Sequence, residues 1–273
     1  EGFEYSPNVI YAGATTNQNT LPLARYLLRS GARRFVLVGS DYIYPRESNR
    51  VMRDLVERQG GAVLDELYLP LQPDAARMAQ LVERVVELKP DILFSALVGQ
   101  SICDLLQACA NAGIDGSIPI ASHNITEAEM LALPKPPVAG HITSAPFFAS
   151  LDTAPSQRFV NGFRRAFGAQ APVSQIAAAA YSVVHLFARA LEKSGEMDTQ
   201  SIIDAMRGVP FEAPQGQMVV DYDNNHTWMT PRIGRWNGRD QFDILWQASE
   251  AAQPDPWLVS YGGAEPLAEA PGP

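Results

Sequence analysis

Cysteine is nearly missing from this chain: Cys103 and Cys109 are the only two in 273 residues. Both fall in one helical-looking stretch, where six residues rise by roughly 9 Å. That exceeds the Cα separation a disulfide spans, so the pair is expected to stay unbridged. Two free thiols favour a reducing compartment, here the cytoplasm, although periplasmic chains carry buried free cysteines too. Positive charge is also short. Twenty-one Lys and Arg stand against 30 Asp and Glu, a formal net charge of -9, which argues against the basic face a nucleic-acid partner needs. No uninterrupted apolar run reaches eighteen residues. The nearest, 176–191, is broken by His185 and Arg189 and is too short to span a bilayer. Neither direct nucleic-acid contact nor membrane insertion is expected. Residues 1–11 contain no basic stretch followed by an apolar core, hence no signal peptide, and Glu1 is expected to be an internal residue of a longer chain.

Enzyme signatures are missing as well. Gly99-Gln100-Ser101 continues into Ile102-Cys103, so the Gly-x-Ser-x-Gly nucleophile elbow fails. There is no Walker loop and no Gly-x-Gly-x-x-Gly. His123, His141, His185 and His226 show neither i,i+4 pairing nor cysteines at metal spacing. The chain is therefore expected to be a non-enzyme without cofactor or metal. A hydrolase acting through Cys103 or Cys109 is a third-ranked reading, set back because both sit inside a helix rather than at its start.

What is present is an α/β pattern. Hydrophobic residues make up 46% of the chain, ample for a core. Phe35-Val36-Leu37-Val38, closed by Gly39, has the continuous apolar run of a strand buried on both faces. Pro45 is expected to open a helix that runs to about Gln59 and stops at Gly60-Gly61. A strand over 63–69, a helix over 75–89 stopped by Pro90, and a buried strand over 92–98 follow. Then come a helix over 101–112, a strand over 118–121, a helix near 126–133 and a strand over 140–144. Units of this size predict a parallel sheet with right-handed crossovers. Three helices over 156–208 have almost no strand between them, so they need a sheet from elsewhere. From Gly216 the chain is strand-rich, and 264–273 reads as a disordered tail.

In open α/β sheets, ligands bind beyond the carboxyl ends of the strands. The richest such loop is Gly39-Ser40-Asp41-Tyr42-Ile43-Tyr44-Pro45, whose two tyrosines can offer hydroxyls and ring walls to one solute. Alternatively, Tyr42 and Tyr44 simply pack against the helix. Gly99 and Asn124 follow the next strands and belong to the same rim. Asn124 can hydrogen-bond an amide in both directions, or else cap the helix near Thr126.

At this point a resemblance appears. The run Glu1-Gly2-Phe3-Glu4-Tyr5-Ser6-Pro7-Asn8 and Asn17-Gln18-Asn19 resemble the crossover of urea- and amide-binding type I periplasmic-binding proteins. Gly39 to Asn49 is similar to the aliphatic-amide sensor that negatively regulates amidase expression. Tyr68-Leu69-Pro70-Leu71, Ser150-Leu151-Asp152-Thr153, Ala213-Pro214-Gln215-Gly216, Asn225-His226-Thr227-Trp228 and Pro254-Asp255-Pro256-Trp257 extend it over nearly the whole chain. The family implies two Rossmann-like, doubly wound lobes with a solute in the cleft between them. It implies ligand contacts at Tyr42, Tyr44 and the position of Asn124, where the relatives carry a hydroxyl residue; Ser40 and Gly99, in the strand-end loops, complete the expected ligand-binding set. The first lobe is expected to be incomplete. Residues 1–13 would end it and cross over, 14–147 form the whole second lobe, and 148–215 carry first-lobe helices. Residues 216–263 would form a strand-rich C-terminal crossover segment. Two roles follow from the resemblance. The favoured one is a cytoplasmic sensor that sequesters an antitermination regulator until an amide binds. The alternative is a periplasmic protein delivering urea or short amides to an ABC permease. Tyr44 resembles the sensor, urea-transport relatives tending to carry Phe there, whereas Asn225-His226-Thr227-Trp228 resembles the transporters. A homo-oligomer is left open.

Overall fold

The computed structural model describes residues 5–114, 116–134 and 139–259. The motif residues Glu1 to Glu4 and the expected tail over 264–273 lie outside them. Five strands, β1 (Arg34–Ser40), β2 (Ala62–Leu69), β3 (Ile92–Ala96), β4 (Ile120–Ser122) and β5 (Ile142–Ser144), pair in parallel in the order 2-1-3-4-5. Along β1 the side chains alternate between two cores, as the pleat requires. Val36 and Val38 face one with Leu81, Val85 and Leu105, while Phe35 and Leu37 face the other with Leu23, Leu27 and Met52. The helices supplying those partners are α3 (Ala75–Leu88) and α4 (Gln100–Asn111) on one face, and α1 (Thr20–Arg29) and α2 (Ile43–Arg58) on the other. This is the doubly wound unit that the apolar runs predict.

Two strands from the C-terminal part complete the sheet. β9 (Arg232–Trp236) pairs antiparallel with β5, and β10 (Phe242–Gln247) pairs antiparallel with β9. Trp236 and Phe242 are fully buried there, so their apolar bulk is what holds these late strands against the early ones. Nothing local in the sequence announces that pairing. The helices α6 (Ala154–Phe167), α7 (Gln175–Ser194) and α8 (Thr199–Met206) do find a sheet of their own. It is a three-stranded antiparallel one formed by β6 (Phe211–Ala213), β7 (Gly216–Val220) and β8 (Thr227–Trp228). Leu186, Ala190, Ile202 and Met206 pack on Phe211, Met218 and Val220. The opposite face of α7 is apolar too and stays exposed at Ile176, Val184 and Phe187.

Three segments join the two layers. The first runs past Tyr11, whose backbone pairs with Asn225 and Thr227 and whose ring stacks on His226 at 4.4 Å. Asn225 turns the β7–β8 hairpin with a φ of 57°, a conformation asparagine tolerates better than most residues. This gives Asn225-His226-Thr227-Trp228 a structural role at the crossing. The second segment, 145–149, follows β5, and the third leads through Thr230 into β9. Arg232, almost fully buried, ties the second and third segments together. It donates to the Pro146 carbonyl, to the Gln215 carbonyl at 2.9 Å and to Gln247 Oε1 at 2.7 Å. Burial lowers its pKa to about 10, so it stays charged at neutral pH.

Candidate functional site

The strand order 2-1-3-4-5 reverses direction between β1 and β3, and a crevice opens where loops diverge at such a switch point. A cavity of about 420 Å³ lies at that place. Tyr44 reaches it from the loop after β1, Val98 and Gly99 from the loop after β3, and His123 and Asn124 from the loop after β4. The other side is closed by Ala12 to Ala14 and Pro146 of the crossing segments and by Gln175, Ile176 and Ala179 at the start of α7. Gln175 Nε2 donates to the His123 carbonyl at 3.2 Å, a direct link between the two walls.

Local sequence explains how Tyr44 arrives there. Helix α2 starts two residues before Pro45, the expected first residue, with Tyr42 as its cap position. Tyr44 therefore rides on the rigid first turn. The turn sits close to the end of β1, because a Cβ on Gly39 would lie 2.7 Å from the Pro45 Cβ. Arg46 anchors the same turn through Asp41 and lies 4.1 Å from the centre of the Tyr68 ring. Gly99 enters α4 at φ 62° and ψ −140°, a region that non-glycine residues avoid.

The candidate residues separate into two groups. Tyr44, Gly99 and Asn124 border the cavity, whereas Tyr42 and Ser40 do not. Tyr42 is exposed beside Tyr44, with ring centres 6.3 Å apart. Ser40 is fully buried, and its hydroxyl accepts from the Val98 N–H at 3.2 Å, tying the β1 and β3 loops together. Asn124 does not cap the following helix. Thr126 takes that position, with Glu129 Oε2 accepting from the Thr126 N–H at 2.7 Å. Asn124 instead donates to the Leu97 carbonyl at 3.1 Å and accepts from the Tyr44 hydroxyl at 2.9 Å.

Three residues not singled out as contacts from the sequence also border the cavity: His123, in the rim loop Ser122-His123-Asn124, Gln175 and Glu129. His123 is 3% exposed, wedged edge-on against Tyr44 and beside Phe94, each with ring centres 5.5 Å away. Burial lowers its pKa to about 4, so the ring is neutral at physiological pH. Its place beyond β4, next to Asn124, was the available signal. Glu129 is the only charged residue bordering the cavity, and no Lys or Arg does so among the described residues. No metal-holding group of His, Cys, Asp and Glu occurs among them either, and no described helix is long and apolar enough to cross a membrane. Both cysteines are free. Burial raises the Cys103 pKa, with Glu129 and Asp104 adding to the effect, which is the opposite of an activated nucleophile.

Comparison with known proteins bears on the fold. A Leu/Ile/Val-binding protein homolog from Brucella melitensis is 24% identical over 225 residues, covering 81% of this chain and 57% of that protein. The chain thus spans little more than half the length of that relative. A solute-binding protein of an ABC transporter from Rhodopseudomonas palustris, solved with 3,4-dihydroxybenzoic acid, superposes with a TM-score of 0.82 at 21% identity. That match covers 91% of this chain and 69% of the other. A closed leucine-, isoleucine-, valine-, threonine- and alanine-binding protein from Brucella ovis gives 0.75 at 16% identity, over 93% and 68% of the two chains. At these identities the structural likenesses show the fold. Residues 1–262 match the family described as periplasmic binding protein domain. The relatives are named for amino acids and aromatic acids, so the family is shown and the amide-sensor branch is not: the chain belongs to the periplasmic binding protein domain family.

Proposed function

We propose that the full-length protein is the solute-binding component of an ABC importer, working outside the cytoplasmic membrane and handing a small uncharged amide or urea to a permease. One observation carries the choice of solute, the hydrogen-bond chain Leu97–Asn124–Tyr44. Asn124 donates to a carbonyl, so its amide nitrogen faces Leu97 and its oxygen faces Tyr44. The Tyr44 proton is then committed to Asn124. Whatever else meets Tyr44 Oη must donate, as an amide or urea N–H does and a carboxylate does not. The absence of cations around the cavity among the described residues also makes an anionic solute costly to desolvate.

The relatives lend the transporter role its support, and the sensor reading with its antitermination partner gives way to it. The thiols that favoured the cytoplasm are buried or half-buried, which is compatible with an oxidising compartment. A second solute class has one observation in its favour. The amino end of α4, entered through Gly99, borders the cavity, and such an end attracts a carboxylate. Calorimetric titration of the full-length protein separates the two. Heat from acetamide, butyramide or urea, with none from leucine or 4-hydroxybenzoate, is the expected result. The reverse pattern would remove the amide assignment.

A further inference from the structure

We infer that the His123 imidazole donates a hydrogen bond to the solute carbonyl, opposite in polarity to Tyr44 Oη, so that the cleft selects a head group carrying C=O and N–H side by side. The inference rests on reading this cleft as the solute site. It starts from an unmet need. Both ring nitrogens of His123 are buried without a hydrogen-bond partner, and leaving a buried polar group unmatched costs free energy. Other buried groups among the described residues share that condition, namely Asn49 Oδ1, Glu127 Oε2, Ser144 Oγ and Ser156 Oγ. Among them His123 alone borders the cavity.

The surroundings restrict the ring without satisfying it. Phe94 and Tyr44 offer it aromatic surface, and Gln175 engages its carbonyl rather than its nitrogens. A neutral imidazole has one donor and one acceptor nitrogen. His123 borders the cavity, so its N–H is the donor available there to a solute whose own N–H groups meet Tyr44. A primary amide or urea satisfies both partners at once. A hydrocarbon satisfies neither, and a carboxylate cannot donate to Tyr44.

The test uses the full-length protein and its His123→Phe and His123→Gln variants, titrated with acetamide and urea and unfolded thermally. Phe keeps the aromatic packing and removes the unmatched nitrogens, so His123→Phe should melt at the same or a higher temperature yet bind acetamide at least tenfold more weakly. His123→Gln, which restores a donor, should recover part of that loss. In the unaltered protein, the 15N resonances of the labelled His123 ring should move on saturation with acetamide. A purely packing role leaves the acetamide affinity of His123→Phe near that of the unaltered protein, because the aromatic packing is kept. Unchanged acetamide affinity in His123→Phe, or ring resonances that stay in place at saturation, would overturn the inference while leaving the amide reading intact. If the unaltered protein takes up neither acetamide nor urea, the amide reading fails first and this inference falls with it.

Discussion

At the scale of single residues, the chemistry of the cleft turns on where one proton points. The Tyr44 hydroxyl donates to Asn124, and that direction is enforced by the bond from Asn124 to Leu97. Replacing Tyr44 by Phe removes the acceptor offered to the solute and leaves Asn124 Oδ1 without its partner. A lost hydrogen bond with a buried group left unmatched costs about 1–3 kcal/mol, so Tyr44→Phe should weaken acetamide binding by roughly ten- to a hundredfold. The fold should lose only about 1 kcal/mol, because the ring is retained. Calorimetry and thermal unfolding on one preparation check both halves, and equal affinities would remove Tyr44 from the contact set. Tyr44 and Asn124 were legible in the sequence because both follow apolar strand runs. His123 stood in the same rim loop, but a histidine beside an asparagine does not say which of the two will find a partner.

At the scale of elements, the short helix α5 (Glu127–Leu131) braces the second crossing segment. Glu127 is 1% exposed, and its Oε1 accepts from the Ala149 N–H at 2.9 Å. Burial raises its pKa to about 7, against partial relief from backbone hydrogen bonds, including the one from Ala149. A raised folded-state pKa stabilises the protonated form. Its contribution is therefore complete below about pH 4.5, the ordinary value, and is lost as pH rises through about 7. His123 works the other way. Its lowered pKa removes stability as pH falls from 6.5 towards about 4 and is silent above that window. Comparing Glu127→Gln with the unaltered protein between about pH 4.5 and 7.5 isolates Glu127, because His123 is common to both and cancels. Glu127→Gln keeps a neutral acceptor for Ala149 and should flatten the decline, gaining on the order of 1–3 kcal/mol at the alkaline end. A variant with the same slope as the unaltered protein would show that Glu127 is not the titrating group. The early elements were readable because strands buried on both faces announce themselves as continuous apolar runs, and Pro and Gly punctuate the helices. The antiparallel addition of β9 and β10 was not, because it depends on Trp236 and Phe242 meeting a core assembled from residues between Val36 and Phe148, far earlier in the chain.

At the scale of the whole molecule, function rests on two layers joined by three crossings and tied by Arg232. The cavity lies where those layers meet, with Gln175 of one already reaching the His123 carbonyl of the other. A solute that contacts both walls favours the conformation in which they are closest, and closing excludes water and strengthens each polar contact. The two-layer architecture was legible as soon as helices without strands followed a complete α/β unit. Of the small sheet beneath them, β7 lies in the stretch that reads as strand-rich from Gly216, whereas β6 and β8 were hidden by being only three and two residues long. The central claim is that the protein binds its solute between the layers and closes on it. Small-angle X-ray scattering of the full-length protein, with and without saturating acetamide, tests it most directly. A smaller radius of gyration in the presence of acetamide is the predicted result, and calorimetric binding with no contraction would contradict the account.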